Sequence, residues 1–331
     1  MGKRLVTLVT CQWSDLDFET LCATAKKMGY DGLELATWGN AFDLDRAYED
    51  DSYVDWIKAT LKKHGLVLSA LATHIIGQCV ADAPDPRLNN FAPARLANKP
   101  EEIRLWAIES MKKAAFVAKK LGVQTISGFT GSPIWRYLYS FPQTPEEMVE
   151  EGFREVRRLW LPILDVFKEN GIRFALEVHP GEIAFDYYTS KRLLEVFSDR
   201  PEFGLNFDPS HLLWQGVTPH IFLEDFIDKI YNVHMKDAAV TLNGRTGLLG
   251  SHIDFGSLKR GWNFRSLGHG QVNFEEIIRV LNAYGNHCAL AVEWEDSGME
   301  RISGGTEACA FVRKVDFEPS DVKFDDAIAN K

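Results

Sequence analysis

Helix-period stretches alternate along the whole chain with short apolar or β-branched runs, and a glycine stands at many of the joints. Lys27-Met28-Gly29 precedes the run 32–35, Lys63-His64-Gly65 precedes 66–71, and Lys120-Leu121-Gly122 precedes 123–126. Glu169-Asn170-Gly171 and Ala283-Tyr284-Gly285 stand in the same way before 172–178 and 289–292. Glycine just past a helix end takes the left-handed conformation that closes the last turn, and lysine there complements the helix dipole. Each joint therefore reads as a helix end feeding a strand. Within the helices, Ile103, Ala107, Met111, Ala114, Ala118 and Leu121 share one face, with Arg104, Lys112, Lys113 and Lys119 mostly off it, so that face packs on a sheet. Asn273 ahead of Phe274, Glu276, Ile277 and Ile278 reads as a capped helix start. Pro162, inside the segment 145–170, predicts a kink or a break.

The strands predicted from this pattern are 4–11, 32–36, 66–73, 123–129, 173–179, 203–208, 230–235 and 289–294. Eight β-α units without a linker-like composition shift predict one α/β domain, a (β/α)8 TIM barrel over 1–315, with a peripheral tail over 316–331. The helix-to-strand joints are short, whereas the strand-to-helix loops 37–51, 74–100, 130–144 and 238–272 are long. In such a barrel those loops rim the C-terminal face, where active sites lie. The insertion 238–272 carries seven glycines and reads as a substrate lid.

Composition narrows the classes. No apolar run approaches the ~20 residues of a membrane span, and Met1-Gly2-Lys3-Arg4 leads straight into a strand, so neither a span nor a signal peptide is expected. A net charge of −10 repels phosphate backbones and argues against nucleic acid. Cys11, Cys22, Cys79, Cys288 and Cys309 form an odd set without CxxC spacing, as expected of reduced thiols in a cytoplasmic protein.

Strand periodicity then sorts side chains into and out of the barrel. Phe174, Leu176 and Val178 face the helices while Glu177 and His179 face inward; Leu205 and Phe207 face out, Asn206 and Asp208 in. Val233 faces out and His234 and Lys236 in; Val292 faces out and Glu293 and Glu295 in. Two Glu, one Asp and one His thus converge near the C-terminal rim. Buried carboxylates so close together persist when protonated, paired with cations such as Lys236 or Arg136, or bound to a divalent ion. A three-oxygen, one-nitrogen set suits Mn2+, Mg2+, Co2+ or Zn2+.

Leu176-Glu177-Val178-His179-Pro180, Asn206-Phe207-Asp208-Pro209-Ser210-His211, Val233-His234-Met235-Lys236-Asp237 and Val292-Glu293-Trp294-Glu295 together resemble the metal-binding strands of the xylose-isomerase-like sugar phosphate isomerase/epimerase superfamily. The resemblance implies one divalent metal, Mn2+ foremost, held by Glu177, Asp208, His234 and Glu293, with His211 contacting substrate. A C–H group next to a metal-bound carbonyl is then acidified, and Glu177 and Glu293 are the natural pair to take and return the proton, which gives isomerisation or epimerisation of a keto sugar or related polyol. His179, His211 and Lys236 would orient substrate oxygens, with His74, beside Glu34 on the second strand, a further candidate.

Two features depart from plain ketose 3-epimerases. The position six residues after His234, where they place a substrate-binding Arg, is Val240, and the insertion and the 292–298 segment look more like enzymes that act on 3-oxo-glycosides. The alternative is therefore a 3-oxo-glycoside lyase or C-glycoside deglycosidase on the same metal site, with a histidine rather than a glutamate as base; an endonuclease IV relative, with three zinc ions and basic loops, fits less well. Trp13, Trp38, Trp135, Tyr137, Tyr139, Trp214, Trp262 and Trp294 are candidate sugar- or aglycone-stacking residues, Trp38 and Trp294 foremost. Arg245, Lys259, Arg260 and Arg265 offer charge for a phosphate. The expected partner is a small carbohydrate, with room for a homo-oligomer or a small partner subunit.

Overall fold

The computed structural model describes residues 3–322 and 324–329, so the readings that fall on Met1, Gly2 and parts of the tail (Lys323, Asn330, Lys331) lie outside the described residues. Its strands are β1 (Val6–Val9), β2 (Gly32–Ala36), β3 (Val67–Ala72), β4 (Thr125–Gly128), β5 (Arg173–Glu177), β6 (Phe203–Phe207), β7 (Ile230–Met235), β8 (Asp237–Val240), β9 (Trp262–Arg265) and β10 (Leu290–Val292). All but β8 and β9 close a parallel barrel in the order β1-β10-β7-β6-β5-β4-β3-β2. This is the (β/α)8 architecture the alternating pattern predicts. The ladders are shorter than the apolar runs; β1, for instance, stops where Thr10–Trp13 winds into a 3-10 turn.

The joints fold as their glycines dictate. Gly29, Gly65, Gly122 and Gly171 each end a helix in the left-handed region, donating their N–H groups back into the last turn. The predicted stripe of helix Pro100–Leu121 is buried throughout. Outward-facing Phe174, Leu205 and Val233 are buried under the helices, and Phe174 packs 4.4 Å, centroid to centroid, from Trp160. Burial of each such side chain is worth about 1.5–3 kcal/mol.

Two expectations are corrected here. Pro162 does not break its segment: Glu146–Asn170 is one helix. Pro162 lies on the exposed face, where water satisfies the carbonyl it leaves unbonded. The insertion is also more ordered than its glycines suggest. Its ends pair as an antiparallel hairpin, Ala238 opposite Phe264 and Val240 opposite Trp262. At the root of the predicted tail, Asp316 is buried against Arg4, with Arg4 Nη1 2.6 Å from Asp316 Oδ1, so the segment begins tied to the bottom of the barrel.

Candidate metal centre

Four side chains from four strand ends meet above the barrel core. Glu177 ends β5, Asp208 follows β6, His234 lies in β7 and Glu293 follows β10; each offers one ligand atom, and those atoms lie within 4.8 Å of one another. The local reason is the same at each strand. The inward residue below Glu177 is the small Ala175 and the one below Asp208 is the amide Asn206, so Glu177, Asp208 and Glu293 stand at or just past their strand ends, while Glu34 lies within β2.

The contacts around the four are asymmetric. His234 Nε2 lies 2.9 Å from Glu34 Oε1, while Nδ1 lies 2.9 Å from Glu293 Oε2 and 3.2 Å from Glu177 Oε2. Glu34 is itself held by Asn232 Nδ2 at 2.8 Å and by a short hydrogen bond from Ser127 Oγ. Burial works against charging His234, but Glu34 on one side and Glu177 and Glu293 on the other together hold it well above the ordinary histidine value, so Nδ1 presents to the acids an N–H whose proton a cation would displace. Glu177 Oε2 also accepts from His74 Nε2 at 2.8 Å and from Asn206 Nδ2 at 3.1 Å. Lys236 reaches Glu293 Oε1 at 2.9 Å and Glu295 Oε2 at 3.1 Å, with its ammonium 4.2 Å from the Phe264 ring centre. Burial works against ionising Glu293, but the Lys236 charge together with the charge and hydrogen bond of His234 holds the carboxyl below the usual carboxylate range.

Asp208 has the telling geometry. Its Oδ1 accepts from the Ser210 N–H and hydroxyl, both at 2.7 Å, whereas Oδ2, buried at the centre of the cluster, has no hydrogen-bond partner. Burial, the largest influence, pushes the Asp208 carboxyl up. His211 Nε2 lies 3.4 Å from this Oδ2 without making a hydrogen bond to it, and two further acids, Glu177 and Glu293, and the His234 imidazole converge on the same point: the residues fit a divalent cation.

Other predicted residues arrange themselves around this centre. His179 and His211 stand with ring centres 4.0 Å apart, and Trp38, His74, His179, His211 and Lys236 all line one cavity of about 360 Å³ above the four ligands. His179 Nδ1 lies 2.6 Å from the Pro180 carbonyl, so that nitrogen carries the proton and Nε2 is left as an acceptor. Burial, then His211, push His179 well below the ordinary histidine value, toward the neutral ring. Both ring nitrogens of His211 are buried without a hydrogen-bond partner, and Nε2 lies 3.2 Å from Glu177 Oε1. His74 occupies the first position of helix His74–Ala81, which Gly77 lets dock directly on Phe129; a Cβ there would meet the Phe129 carbonyl oxygen at 2.0 Å.

The aromatic candidates separate. Trp214, Trp262 and Trp38 line the cavity, joined by Phe255 and Phe264 of the insertion, and Trp214 stacks on Trp262 at 4.4 Å and 3°. Trp294 is a correction: it is buried on the outward side, its Nε1 donating to Ser266 Oγ at 3.1 Å and its ring 6.4 Å from that of Trp13. It stands between inward Glu293 and Glu295, so strand alternation turns it away. Trp13 is buried in the same core, and Trp135, Tyr137 and Tyr139 line a different cavity. Arg260, a candidate phosphate contact, is instead buried in the insertion, donating to the Ile253 and Trp262 carbonyls and stacked on Phe255.

Sequence reasoning missed Asp237. Its carboxylate accepts from the N–H groups of Ala238, Gly268, Gly270 and Val272, gathering both ends of the insertion at one point. Gly270 is required there, since a Cβ would meet Asp237 Oδ1 at 2.1 Å.

The family pattern described as the xylose isomerase-like TIM barrel matches residues 22–315. The chain belongs to that family. Among curated relatives, this xylose isomerase-like barrel is 26% identical over 310 residues to the uncharacterized protein YfiH of Bacillus subtilis strain 168, covering 90% of this chain and 95% of that one. It is 22% identical over 192 residues to an inosose dehydratase of Clostridium botulinum, covering 57% of this chain and 61% of the dehydratase. Among solved structures, apo 3-keto-D-glucoside 4-epimerase YcjR from E. coli superposes with a TM-score of 0.67 at 16% identity, covering 94% of this chain and all (100%) of that one. The IolI protein with a zinc atom bound superposes with a TM-score of 0.61 at 15% identity, over 94% and 96% of the two chains. Among the described residues, no helix of this barrel is long and apolar enough to cross a membrane.

Proposed function

We propose that this xylose isomerase-like barrel is a divalent-metal-dependent enzyme that moves a proton next to the carbonyl of a keto sugar or related polyol, acting as an isomerase or epimerase. The observation that carries the reading is the partnerless Asp208 Oδ2, buried where Glu177, His234 and Glu293 also point. Glu177, Asp208, His234 and Glu293 would hold the ion, with Mn2+ the first candidate and Mg2+, Co2+ and Zn2+ next. Such an ion supplies a Lewis acid for the substrate carbonyl.

The chain's own residues supply the rest. Glu177 and Glu293 flank the centre and are the acid–base pair, one taking the proton and the other returning it. Lys236 keeps Glu293 ionised and thus competent as a base. His74 and Asn206 fix the orientation of Glu177 by donating to its Oε2. His179 offers an unprotonated Nε2 to a substrate hydroxyl, and His211 stands between it and Glu177. Trp38, Trp214 and the insertion's Phe255, Trp262 and Phe264 exclude water and offer apolar faces to a sugar ring. The 3-keto-D-glucoside 4-epimerase and the inosose dehydratase are relatives whose names fit this chemistry.

Elimination is the second reading, because the His179–His211 pair stands against Glu177 Oε1, whereas Glu293 shares His234 with Oε2, and offers a further base from which a 3-oxo-glycoside would lose its leaving group. Incubation of metal-loaded protein with ketoses and 3-oxo-glucosides in D2O, followed by NMR, separates the readings. Deuterium entering beside the carbonyl with the carbon skeleton and substituents retained supports isomerase or epimerase chemistry, and release of water or aglycone supports elimination. Either Glu177→Gln or Glu293→Gln should lower kcat at least about 100-fold with the fold retained; full activity in both would remove the two acids from the reaction.

A further inference from the structure

A second cavity, of about 420 Å³, opens beside the candidate metal centre between the segments that follow β4 and β5. Trp135, Tyr137, Phe153, Ile183 and Phe185 give it apolar walls, and Glu182 is the one acidic or basic side chain among the described residues that line it. The two cavities share a partition but no lining residue: Phe129 and Pro180 face the metal centre, Ser132 and Glu182 the second cavity. Neither the metal ligands nor the reaction proposed above enters this space.

Glu182 is 1% exposed. Its Oε2 accepts from the Thr130 N–H at 2.7 Å, the Thr130 hydroxyl at 3.0 Å and the Gly131 N–H at 2.8 Å, while Oε1 is buried without a partner. All three donors are neutral, and a bare carboxylate in that setting costs far more than a carboxylic acid. Burial, and after it the charge of Asp82, push Glu182 up to about 8. With Oε2 accepting three hydrogen bonds as the carbonyl end, the proton belongs on Oε1. The result is a buried O–H donor without an acceptor, at the edge of an apolar, aromatic-walled space of the size that binds small molecules, which typically span about 300–1,000 Å³. Trp135 and Phe185 meet edge-on with ring centres 5.3 Å apart, a corner that a flat ring can complete.

We propose that this cavity is a second ligand site, taking a neutral planar aromatic molecule whose carbonyl oxygen accepts a hydrogen bond from Glu182 Oε1. A neutral ligand fits because the wall holds no cation for an acid, and Glu182 stays protonated without an ammonium partner. The geometry also makes Glu182 replaceable by one residue only: a glutamine keeps an acceptor for Thr130 and Gly131 and presents its Nε2–H where the acid presents O–H.

Isothermal titration calorimetry on the full chain, with 4-hydroxyacetophenone as the probe and tyramine as its cationic counterpart, tests the site. The aryl ketone should bind and tyramine should not. Glu182→Leu and Val149→Trp, the latter filling the cavity from helix Glu146–Asn170, should each weaken the ketone at least about tenfold, whereas Glu182→Gln should stay within about threefold of wild type. Circular dichroism melts check that the variants fold, and if Glu182→Leu does not, Val149→Trp still decides. No heat with the ketone at millimolar concentration, preference for tyramine, or weakening in Trp262→Leu of the metal-centre cavity but not in Val149→Trp would overturn the proposal.

Discussion

Glu34 Oε1 lies 2.9 Å from His234 Nε2, and that single contact decides which face of the imidazole is presented to Glu177 and Glu293. A carboxylate behind a metal-ligating histidine fixes its tautomer and raises its basicity. Glu34→Gln keeps the shape but loses the charge, and it is expected to weaken divalent-metal binding about 10–100-fold with little change in fold. Competition against a chromophoric chelator measures this; unchanged affinity would mean that the Glu34 charge does not tune His234 as a ligand.

Asp208→Asn makes the opposite test of the same centre. Removing the buried charge relieves a cost in the metal-free protein, so that form should melt at or above the wild-type temperature. Wild type should gain stability when Mn2+ or Zn2+ is added, about 2.7 kcal/mol at a hundredfold excess over Kd, and the variant should gain almost none. Elemental analysis should find about one ion per wild-type chain, lost in the variant. Equal metal content and equal melting shifts in both proteins would sink the four-ligand centre.

The barrel and the four converging residues were readable in the sequence because both rest on local signals. Glycine caps and apolar runs mark each joint, and strict alternation in β5, β6, β7 and beyond β10 sends Glu177, Asp208, His234 and Glu293 to one side. What stayed hidden depends on contacts far apart along the chain. Nothing near Asp237 announces that it accepts from Gly268, Gly270 and Val272, 31 to 35 residues on. The hairpin of β8 and β9 required the same long-range pairing, and its glycines masked it. Glu182 sits in an unpatterned stretch, and its role appears only once Thr130 is folded against it. Trp294 differs: it stands at the rim in sequence, but strand alternation between Glu293 and Glu295 turns its ring outward, into the core beside Trp13.

Asp237→Ala leaves four N–H groups without their acceptor, each loss worth about 1 kcal/mol where water can replace it and more where it cannot. The barrel should survive while the hairpin loosens. Limited proteolysis should then cut within 241–261 at least about tenfold faster than in wild type, and KM for any turned-over sugar should rise more than kcat falls. Unaltered cleavage would mean that the β8–β9 pairing holds the insertion alone.

Glu182 gives stability a pH dependence of defined sign. Its pKa is raised from about 4.3 in the unfolded chain to about 8 in the fold. The folded state therefore holds the proton more tightly, a contribution complete below about pH 4 and lost as pH rises through about 8. Asp82, pushed up to about 6 chiefly by burial, adds a loss of the same sign over a lower window. Glu182→Gln removes the larger part. The melting temperature of this variant relative to wild type should be more positive at about pH 8.5 than at about pH 5, by the equivalent of roughly 2 kcal/mol or more, allowing for relaxation around the ionised group. A constant difference across that range would place the proton elsewhere.

Because both ends of the segment between β8 and the helix Phe274–Ala283 return to the Asp237 carboxylate, its length and content are uncoupled from the rest of the barrel. Closing the span costs little more for a long insertion than for a short one. Phe255, Trp262 and Phe264, the aromatic wall over Glu177 and Lys236, all belong to this cassette, while Glu177, Asp208, His234 and Glu293 all stand outside it. Exchanging the segment at its clamp would thus transplant the shape of the pocket while leaving the chemistry beneath it in place.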